Sequence, residues 1–159
     1  NFLTYFFYKW WVQIMSIANV FDIAGMGMSA QTIRMNTVAS NIANSETVAG
    51  SEEDAYRARH PVFVAQNAME NAFGNEGKTG SGSAFGVLVS EIMQSEAPVE
   101  QRYRPDHPLA NEQGYVFMSN VNPVEEMADM ISASRSFQMN AEMANTAKSM
   151  MQRLLSLGL

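Results

Sequence analysis

The longest uninterrupted periodic stretch of the sequence runs from Asn122 to Leu157. Asn122 is a favourable N-cap, Pro123 suits the first helical position, and Glu125 lies where a capping box requires an acid. No Gly or Pro interrupts the stretch before Gly158. Such a helix is about 50 Å long at 1.5 Å per residue, which exceeds the size of the small domain that the remaining residues can form. The stretch therefore predicts one long helix that needs another long helix as a partner.

Small, apolar and soft residues recur in this helix at alternating spacings of three and four, which is typical of a heptad seam. The seam consists of Met127, Met130, Ser134, Phe137, Ala141, Ala144, Lys148, Met151 and Leu155. Because it is narrow and rich in Ala and Met, it favours close approach to several helices over a dry core. A helix of a bundle inside one globular domain is the alternative.

A second seam with the same spacing lies near the beginning of the chain. It consists of Ile17, Phe21, Ala24, Met28, Gln31, Met35, Val38 and Ile42. Polar and turn-forming residues between Asn41 and Gly50 end this pattern. We therefore expect an N-terminal helix within residues 15–50 that packs on the C-terminal helix of residues 122–159.

The first 14 residues differ from the rest of the chain, because both Trp residues and several other aromatic residues are concentrated there. The segment is too short to span a bilayer and lacks the basic region and the small-residue site of a cleaved signal peptide. We expect it to be an extension upstream of a true start at Met15. The alternative is an interfacial membrane anchor, which would make the chain a peripheral membrane-associated helical adaptor.

The middle of the chain, residues 51–121, predicts a small β-rich region. Residues 56–64, 87–92, 99–103 and 115–118 have the patterns of strands, with prolines between several of them. Residues 74–83 are rich in Gly and Ser and predict a flexible loop. The fold class is thus expected to be α+β, in which long N- and C-terminal helices form a coiled-coil domain around a small β-rich insert.

The composition argues against several classes of function. The net charge is −6 with only 10 Lys and Arg residues, which disfavours nucleic acid as a partner. The chain has no Cys and only two His, and no acidic residues have metal-ligand spacing. Residues 72–79 fit a relaxed Walker pattern but lack the strand and helix that should flank a phosphate-binding loop. We expect neither an enzyme nor a bound cofactor or metal.

No catalytic or binding role is assigned to two further groups of polar residues. Asp106 and His107 are adjacent, but Pro108 holds this tripeptide extended and prevents the two side chains from forming an acid–base pair across a site. The acidic residues between Glu46 and Asp54 are interpreted as part of a solvated loop.

Several residue strings resemble one protein family. They are Phe21–Ala24 with Met28–Gln31, Ala39–Asn44, Tyr56–Arg59, Gly114–Val116 with Asn120–Asn122, and Ser132–Gln138 with Asn145–Thr146. Together they resemble the flagellar basal-body rod proteins, most closely a proximal rod subunit, over Met15–Leu159. The Asn-rich string near the N-terminus marks the wider family of axial proteins, and the string in the C-terminal helix is more specific.

This resemblance implies a structural subunit of the bacterial flagellum that assembles helically in many copies and transmits torque for motility. It also implies export of the unfolded chain through the flagellar type III apparatus, without a cleaved signal peptide, to the periplasmic rod. The implied partners are further copies of the chain, other rod subunits, and ring and adaptor proteins of the basal body.

We predict that the assembly interface consists of seam residues from both helices. These are Ile17, Phe21, Ala24, Met28, Met35, Val38, Ile42, Met127, Met130, Phe137, Ala141, Ala144, Met151 and Leu155.

Overall fold

The computed structural model describes the backbone of residues 2–65 and 86–157 and the side chains of residues 19–65 and 86–156. The elements are α1 (Phe2–Ala43), β1 (Val48–Ala49), β2 (Arg59–Ala65), β3 (Val87–Gln94), β4 (Glu100–Tyr103), β5 (Tyr115–Met118) and α2 (Pro123–Leu157). Two helices with small sheets between them confirm the α+β class.

The helix α1 begins at Phe2, earlier than residue 15, where the expected N-terminal helical region begins. No Gly or Pro precedes Gly25, so nothing in the local sequence interrupts the helix there. At the other end α1 stops at Ala43, and the side-chain amide of Asn44 donates to the Ser40 carbonyl at 2.8 Å. The Asn-rich string therefore ends the helix as expected.

The start of α2 agrees with its sequence signals at Asn122 and Pro123, whereas the side chain of Glu125 is exposed and does not form the capping-box hydrogen bond. Asn122 Oδ1 accepts a hydrogen bond from the backbone N–H of Val124 at 3.2 Å, which is the geometry of an N-cap. Pro123 is the first helical residue, where the missing N–H has no intrahelical partner to lose.

The described residues divide into two compact units. The first unit contains residues 1–31, 63–88 and 135–159, and the second contains residues 32–62 and 89–134, each as far as it is described. Each helix contributes one segment to each unit.

In the second unit, β5 lies between β1 and β4 in an antiparallel sheet of order β1-β5-β4. Val48 is opposite Met118 in one pair of strands, and Arg102 is opposite Val116 in the other. Val116 is fully buried and is a central side chain of this unit. The strands β2 and β3 pair with each other in a separate sheet. The four predicted strands are confirmed, whereas β1 is too short to give a sequence pattern.

The connection between β4 and β5 depends on Gly114. Its φ is +81°, and a Cβ at this position would lie 2.8 Å from Cε2 of Tyr103. The Gly114 carbonyl accepts a hydrogen bond from the backbone N–H of Arg104 at 2.9 Å, which closes the connection. The rings of Tyr103 and Tyr115 then meet edge to face with centroids 5.3 Å apart. Only glycine adopts this conformation without strain or a clash.

Two sequence predictions lie outside the described residues, namely the flexible loop at residues 74–83 and the Walker-like stretch at residues 72–79. Within the described part of the chain, neither helix has an apolar stretch of the length that a bilayer crossing requires. The same residues form no group of acidic, His or Cys side chains that could hold a metal ion.

Candidate assembly interface

The side of α2 that packs within the chain is a line of residues with alternating spacings of four and three. It consists of Glu126, Met130, Ala133, Phe137, Asn140, Ala144, Ala147, Met151 and Leu154. Glu126, Ala133 and Ala147 are buried, and the other members are half-buried. This spacing is that of a heptad seam, which agrees with the type of pattern that the sequence predicts.

The predicted seam of α2 coincides with this line at alternate positions only. The shared residues are Met130, Phe137, Ala144 and Met151. At the other positions the buried line is displaced by one residue, so Met127 and Leu155 are 51% and 57% exposed, and Lys148 is also exposed. Ala141 is half-buried beside the line. As a line buried within the chain, the seam is therefore wrong at Met127, Lys148 and Leu155, and as an assembly interface it stays a prediction.

The predicted seam of α1 lies on the packed side of that helix. Its described interface residues are all buried or half-buried, namely Phe21, Ala24, Met28, Met35, Val38 and Ile42. The side chain of Ile17 lies outside the described residues. The buried face is wider than the predicted seam, because it also includes Ala30, Thr37 and Asn41.

In the first unit, α1 and α2 approach each other closely at Gly27. A Cβ at this position would lie 2.7 Å from Nδ2 of Asn140. Among the described residues of this unit, the side chains of Ala24, Ala30 and Ala147 are buried. Small residues on both helices leave room for this approach, since they keep side-chain volume out of the interface.

In the second unit, Asn41 is the centre of a buried hydrogen-bond cluster. Its side chain is fully buried. Nδ2 donates to the Arg59 carbonyl at 2.8 Å and to Glu126 Oε1 at 3.0 Å. Oδ1 accepts from the Tyr56 hydroxyl and from the Arg59 N–H, both at 3.0 Å. One side chain thus connects α1, the segment that leads into β2, and the first turn of α2.

Glu126 is an acid in an unusual place, because it is only 5% exposed. It lies in the first turn of α2, where the helix dipole favours a carboxylate by up to about 2 kcal/mol in partly buried sites. Oε1 accepts the hydrogen bond from Asn41, and the buried Oε2 has no hydrogen-bond partner within the described residues. The amide of Asn41 therefore compensates part of the cost of burying this carboxylate.

An ion pair gives a second connection between the helices in this unit. Arg34 Nη2 and Asp129 Oδ1 lie 2.9 Å apart, and their side chains are 26% and 41% exposed. An ion pair of this exposure contributes about 0.2–1 kcal/mol. It fixes the pairing of the two helices more than it stabilises them.

Asn120 connects two further segments of the second unit. Its Oδ1 accepts from the Ala58 N–H at 2.7 Å, and its Nδ2 donates to the Ala97 carbonyl at 2.8 Å. Nearby in sequence, the hydroxyl of Ser119 donates to the Ser45 carbonyl at 2.9 Å.

Three of the residue strings that carry the family resemblance meet in this unit. Asn41 comes from one string, Tyr56 and Arg59 come from a second, and Asn120 comes from a third. Their polar groups bind one another and the backbone, so these residues build the fold. Sequence reasoning missed this cluster, because the linear spacing gives no sign that the strings converge. The only signal was an Asn placed between seam residues of α1.

Asp106 and His107 lie in the connection between β4 and β5. His107 Nδ1 accepts a hydrogen bond from the Leu109 N–H at 3.2 Å, and the His107 N–H donates to the Arg104 carbonyl at 3.1 Å. The imidazole thus helps to form a turn, so the prediction that Pro108 holds this tripeptide extended is wrong. These hydrogen bonds agree with a structural interpretation of the pair.

Comparison with known proteins gives a consistent result. Residues 21–49 match the family model described as flagella basal body rod protein, and residues 112–157 match the C-terminal model of the flagellar basal body rod FlgEFG protein. The flagellar basal-body rod protein FlgC of Escherichia coli O6:H1 is 44% identical over 144 residues, which are 91% of this chain and 99% of that protein. The FlgC protein of Salmonella typhimurium is similar to this chain with the same values. The FlgC protein of Aquifex aeolicus is 39% identical over 140 residues, which are 88% of this chain and 96% of that protein.

Proposed function

This chain belongs to the FlgC family of flagellar basal-body rod proteins, and we propose that it builds the periplasmic part of the rod by self-assembly through its two terminal helices. The family is structural, so the protein is a structural subunit of the flagellar basal body and not an enzyme. It associates there with other basal-body components.

The observation that supports this proposal is that α2 has both a buried side and exposed apolar side chains. One side of the helix is the buried heptad line, and large apolar side chains such as Val124, Met127 and Met139 are 75%, 51% and 64% exposed elsewhere on it. In a structural subunit, the buried side holds α2 on α1 as a coiled-coil domain, and the exposed side chains are covered by neighbouring subunits. Packing of this kind, repeated along the rod, transmits torque.

The division of the chain follows from this role. Residues 15–50 and 122–159 provide the helical assembly domain, and residues 51–121 provide the β-rich region between them. The predicted seam residues, including the exposed Met127 and Leu155, form the assembly interface. Other rod subunits and ring or adaptor proteins of the basal body are the neighbours on these surfaces.

The route to the rod is export as an unfolded chain through the flagellar type III apparatus, without a cleaved signal peptide. The family membership supports this route. A peripheral membrane adaptor, the alternative function, receives no support from the relatives, which are rod proteins.

The test compares Phe137→Asp with Glu142→Lys in the bacterium that encodes the chain. Phe137 is half-buried in the packed line of α2, and Glu142 is exposed. Complete burial of a Phe side chain stabilises by roughly 1.5–3 kcal/mol, of which the half-buried Phe137 contributes a part. An unpaired carboxylate in its place adds a desolvation cost of several kcal/mol. We expect the Phe137→Asp protein to be exported but absent from isolated basal bodies, with loss of motility.

The exposed control should behave differently, because a surface charge change usually alters stability by less than about 0.5 kcal/mol. Cells with Glu142→Lys should therefore swim, and their basal bodies should contain the protein. Equal incorporation of the two variants would contradict assembly through the helices, and absence of the parent protein from basal bodies would contradict the proposed function itself.

A further inference from the structure

The second unit has an open groove of about 570 Å³ that is lined by residues of α1, β2 and β3. Ile33 and Ile92 give the groove apolar walls, and Ile92 is 50% exposed. The side-chain amides of Asn36 and Gln94 are exposed at its rim, and Arg59 is the only cationic residue among those that line it. The groove therefore combines apolar contact with several hydrogen-bond donors.

Arg59 is held in position by other contacts than an ion pair with an acidic residue. Its backbone N–H and carbonyl both bind the buried side chain of Asn41, and its guanidinium carbon lies 5.6 Å from the centre of the Tyr56 ring. Within the described residues the guanidinium forms no ion pair, whereas Arg34, Arg57 and Arg102 each have a carboxylate partner. An Arg side chain that is anchored in this way can bind a carboxylate with two parallel hydrogen bonds.

The beginning of α2, in the same unit, presents a convex surface of matching chemistry. Val124 is 75% exposed, and Glu125 and Ala128 are exposed as well. Ala128 follows Val124 by four positions and Glu125 by three, so the three residues are neighbours on the helix surface. We call these three residues the ridge. Because Ala128 is small, the ridge presents the apolar side chain of Val124 on one side and the carboxylate of Glu125 on the other.

Glu125 is the acid that this part of α2 offers to a neighbour. Glu126 is buried against Asn41, and Asp129 forms the ion pair with Arg34. Glu125 has no ion-pair partner in the part of the chain that the structure describes.

We propose that the ridge of one copy of this chain binds in the groove of a second copy, with Glu125 on Arg59 and Val124 between the walls formed by Ile33 and Ile92. The two surfaces are complementary in charge, and each has apolar side chains beside its charged group. An anionic membrane does not fit, because the chain has a net charge of −6 and would be repelled from it. This inference rests on the proposed function, since it assigns a specific contact to the self-assembly described above.

The proposed contact joins two different surfaces of the chain, so it is heterologous. Each copy that has bound one neighbour through its ridge still has a free groove for the next. Repetition of the contact therefore joins copies head to tail into a ring or an open helical array. A pair related by a two-fold axis would instead satisfy both surfaces at once and stop at a dimer.

Crosslinking in the assembled rod tests this arrangement, and the absence of Cys from the parent chain makes the result specific. The I92C/M127C double variant has one thiol in the groove wall and one beside the ridge, and it replaces the parent in the native host. Isolated basal bodies are treated with a short bifunctional maleimide. We expect a ladder of covalent oligomers from the double variant and no ladder from I92C or M127C alone. The proposal would be overturned if the double variant gave only monomers, or gave dimers without higher oligomers.

Charge exchange in the I92C/M127C background tests the pairing itself. Arg59→Glu or Glu125→Arg alone places like charges in the contact and should reduce the yield of crosslinked oligomers roughly tenfold. The combination of both changes restores complementary charges and leaves the net charge at −6, because one change removes the charge that the other adds. It should recover the ladder, which a variant that merely fails to fold would not do.

Arg102→Glu is the matched control. It changes the net charge as Arg59→Glu does, but Arg102 lies on β4 and does not line the groove. The ladder should persist in this variant. Loss of the ladder with Arg59→Glu but not with Glu125→Arg would show that another acid occupies the groove, and it would overturn the pairing. Failure of the combined variant to recover the ladder would also overturn the pairing.

The same samples separate failure of this inference from failure of the proposed function. Basal bodies that contain the parent protein but give no ladder from the double variant would refute the contact and leave the rod assignment intact. Basal bodies that lack the parent protein would refute the assignment on which the inference rests.

Discussion

Replacement of Asn41 by Asp should strongly destabilise the second unit, although the shape of the side chain is kept. Nδ2 becomes a carboxylate oxygen and can no longer donate. Two hydrogen bonds are lost, those to the Arg59 carbonyl at 2.8 Å and to Glu126 Oε1 at 3.0 Å. The introduced oxygen also lies against the buried Glu126 carboxylate, so a favourable contact becomes a repulsive one.

The size of the effect is limited by protonation. Two unit charges at 3.0 Å repel by about 5.5 kcal/mol at an effective dielectric constant of 20. Protonation of an Asp of ordinary pKa at pH 7 costs about 4 kcal/mol, and the protonated acid donates one of the two lost hydrogen bonds again. The second bond is worth about 1 kcal/mol. We therefore expect a loss of about 5 kcal/mol at pH 7, which is a large part of the stability of an ordinary domain.

The loss should depend on pH in a defined direction. The nearby Glu126 carboxylate raises the pKa of the introduced aspartate in the folded state above its value in the unfolded chain. The difference in unfolding free energy from the parent should therefore be smallest below about pH 4 and should grow as the pH rises through the folded-state pKa. The parent has an amide at this position and lacks this contribution.

Urea denaturation followed by circular dichroism, at several pH values between about 4 and 7, measures these differences. The control is the double variant Asn41→Asp with Glu126→Gln, in which the charge repulsion is absent and the introduced amide can donate to the introduced carboxylate. We expect the double variant to recover at least about 2 kcal/mol relative to the sum of the single changes. Parent-like stability of Asn41→Asp at pH 7, or no recovery in the double variant, would refute the hydrogen-bond cluster as described.

Three further predictions concern glycines and buried methyl groups, and all are measured by thermal or urea denaturation of the isolated subunit. Gly25→Ala should stabilise α1 by up to about 1 kcal/mol, because its Cβ would meet no atom within 4 Å. Gly27→Ala should lack this gain, because its Cβ would lie 2.7 Å from the side-chain amide of Asn140 on α2. Equal gains from the two changes would contradict the close approach of the helices at Gly27. Gly114→Ala should cost about 1–3 kcal/mol, because φ is +81° and a Tyr ring lies 2.8 Å from the new Cβ; an unchanged midpoint would show that the turn relaxes freely. Val116→Ala should cost about 2 kcal/mol, because the side chain is fully buried; Val124→Ala, 75% exposed, should cost less than about 0.5 kcal/mol, and similar losses would mean that the sheet is not packed as described.

The local sequence determined the elements of this fold to a large extent. Asn122 and Pro123 fix the start of α2 through backbone groups within one turn, and the Asn-rich end of α1 acts over a similar distance. The four predicted strands are recognisable because alternation and β-branched residues act within each strand. These signals are readable from the sequence, since every group involved is a near neighbour in the chain.

The sequence also determined the family, and hence the structural role in the flagellar basal body, through strings that are distinctive in themselves. The assembly residues are a different matter. The spacing of three and four is visible in both helices, but a helix such as α2 has apolar residues on more than one side, and the spacing alone does not say which side packs within the chain.

Only the tertiary structure decided that question, and the reason lies in Asn41. Hydrophobicity favours Met127 over Glu126 for the buried position, and the predicted seam followed it. In the structure Glu126 is buried and Met127 is half exposed, because an amide 85 positions away in sequence donates a hydrogen bond to the carboxylate. Burial of a charged group is unfavourable without such a partner. The partner belongs to another helix, so it becomes available only when the two distant segments have folded together.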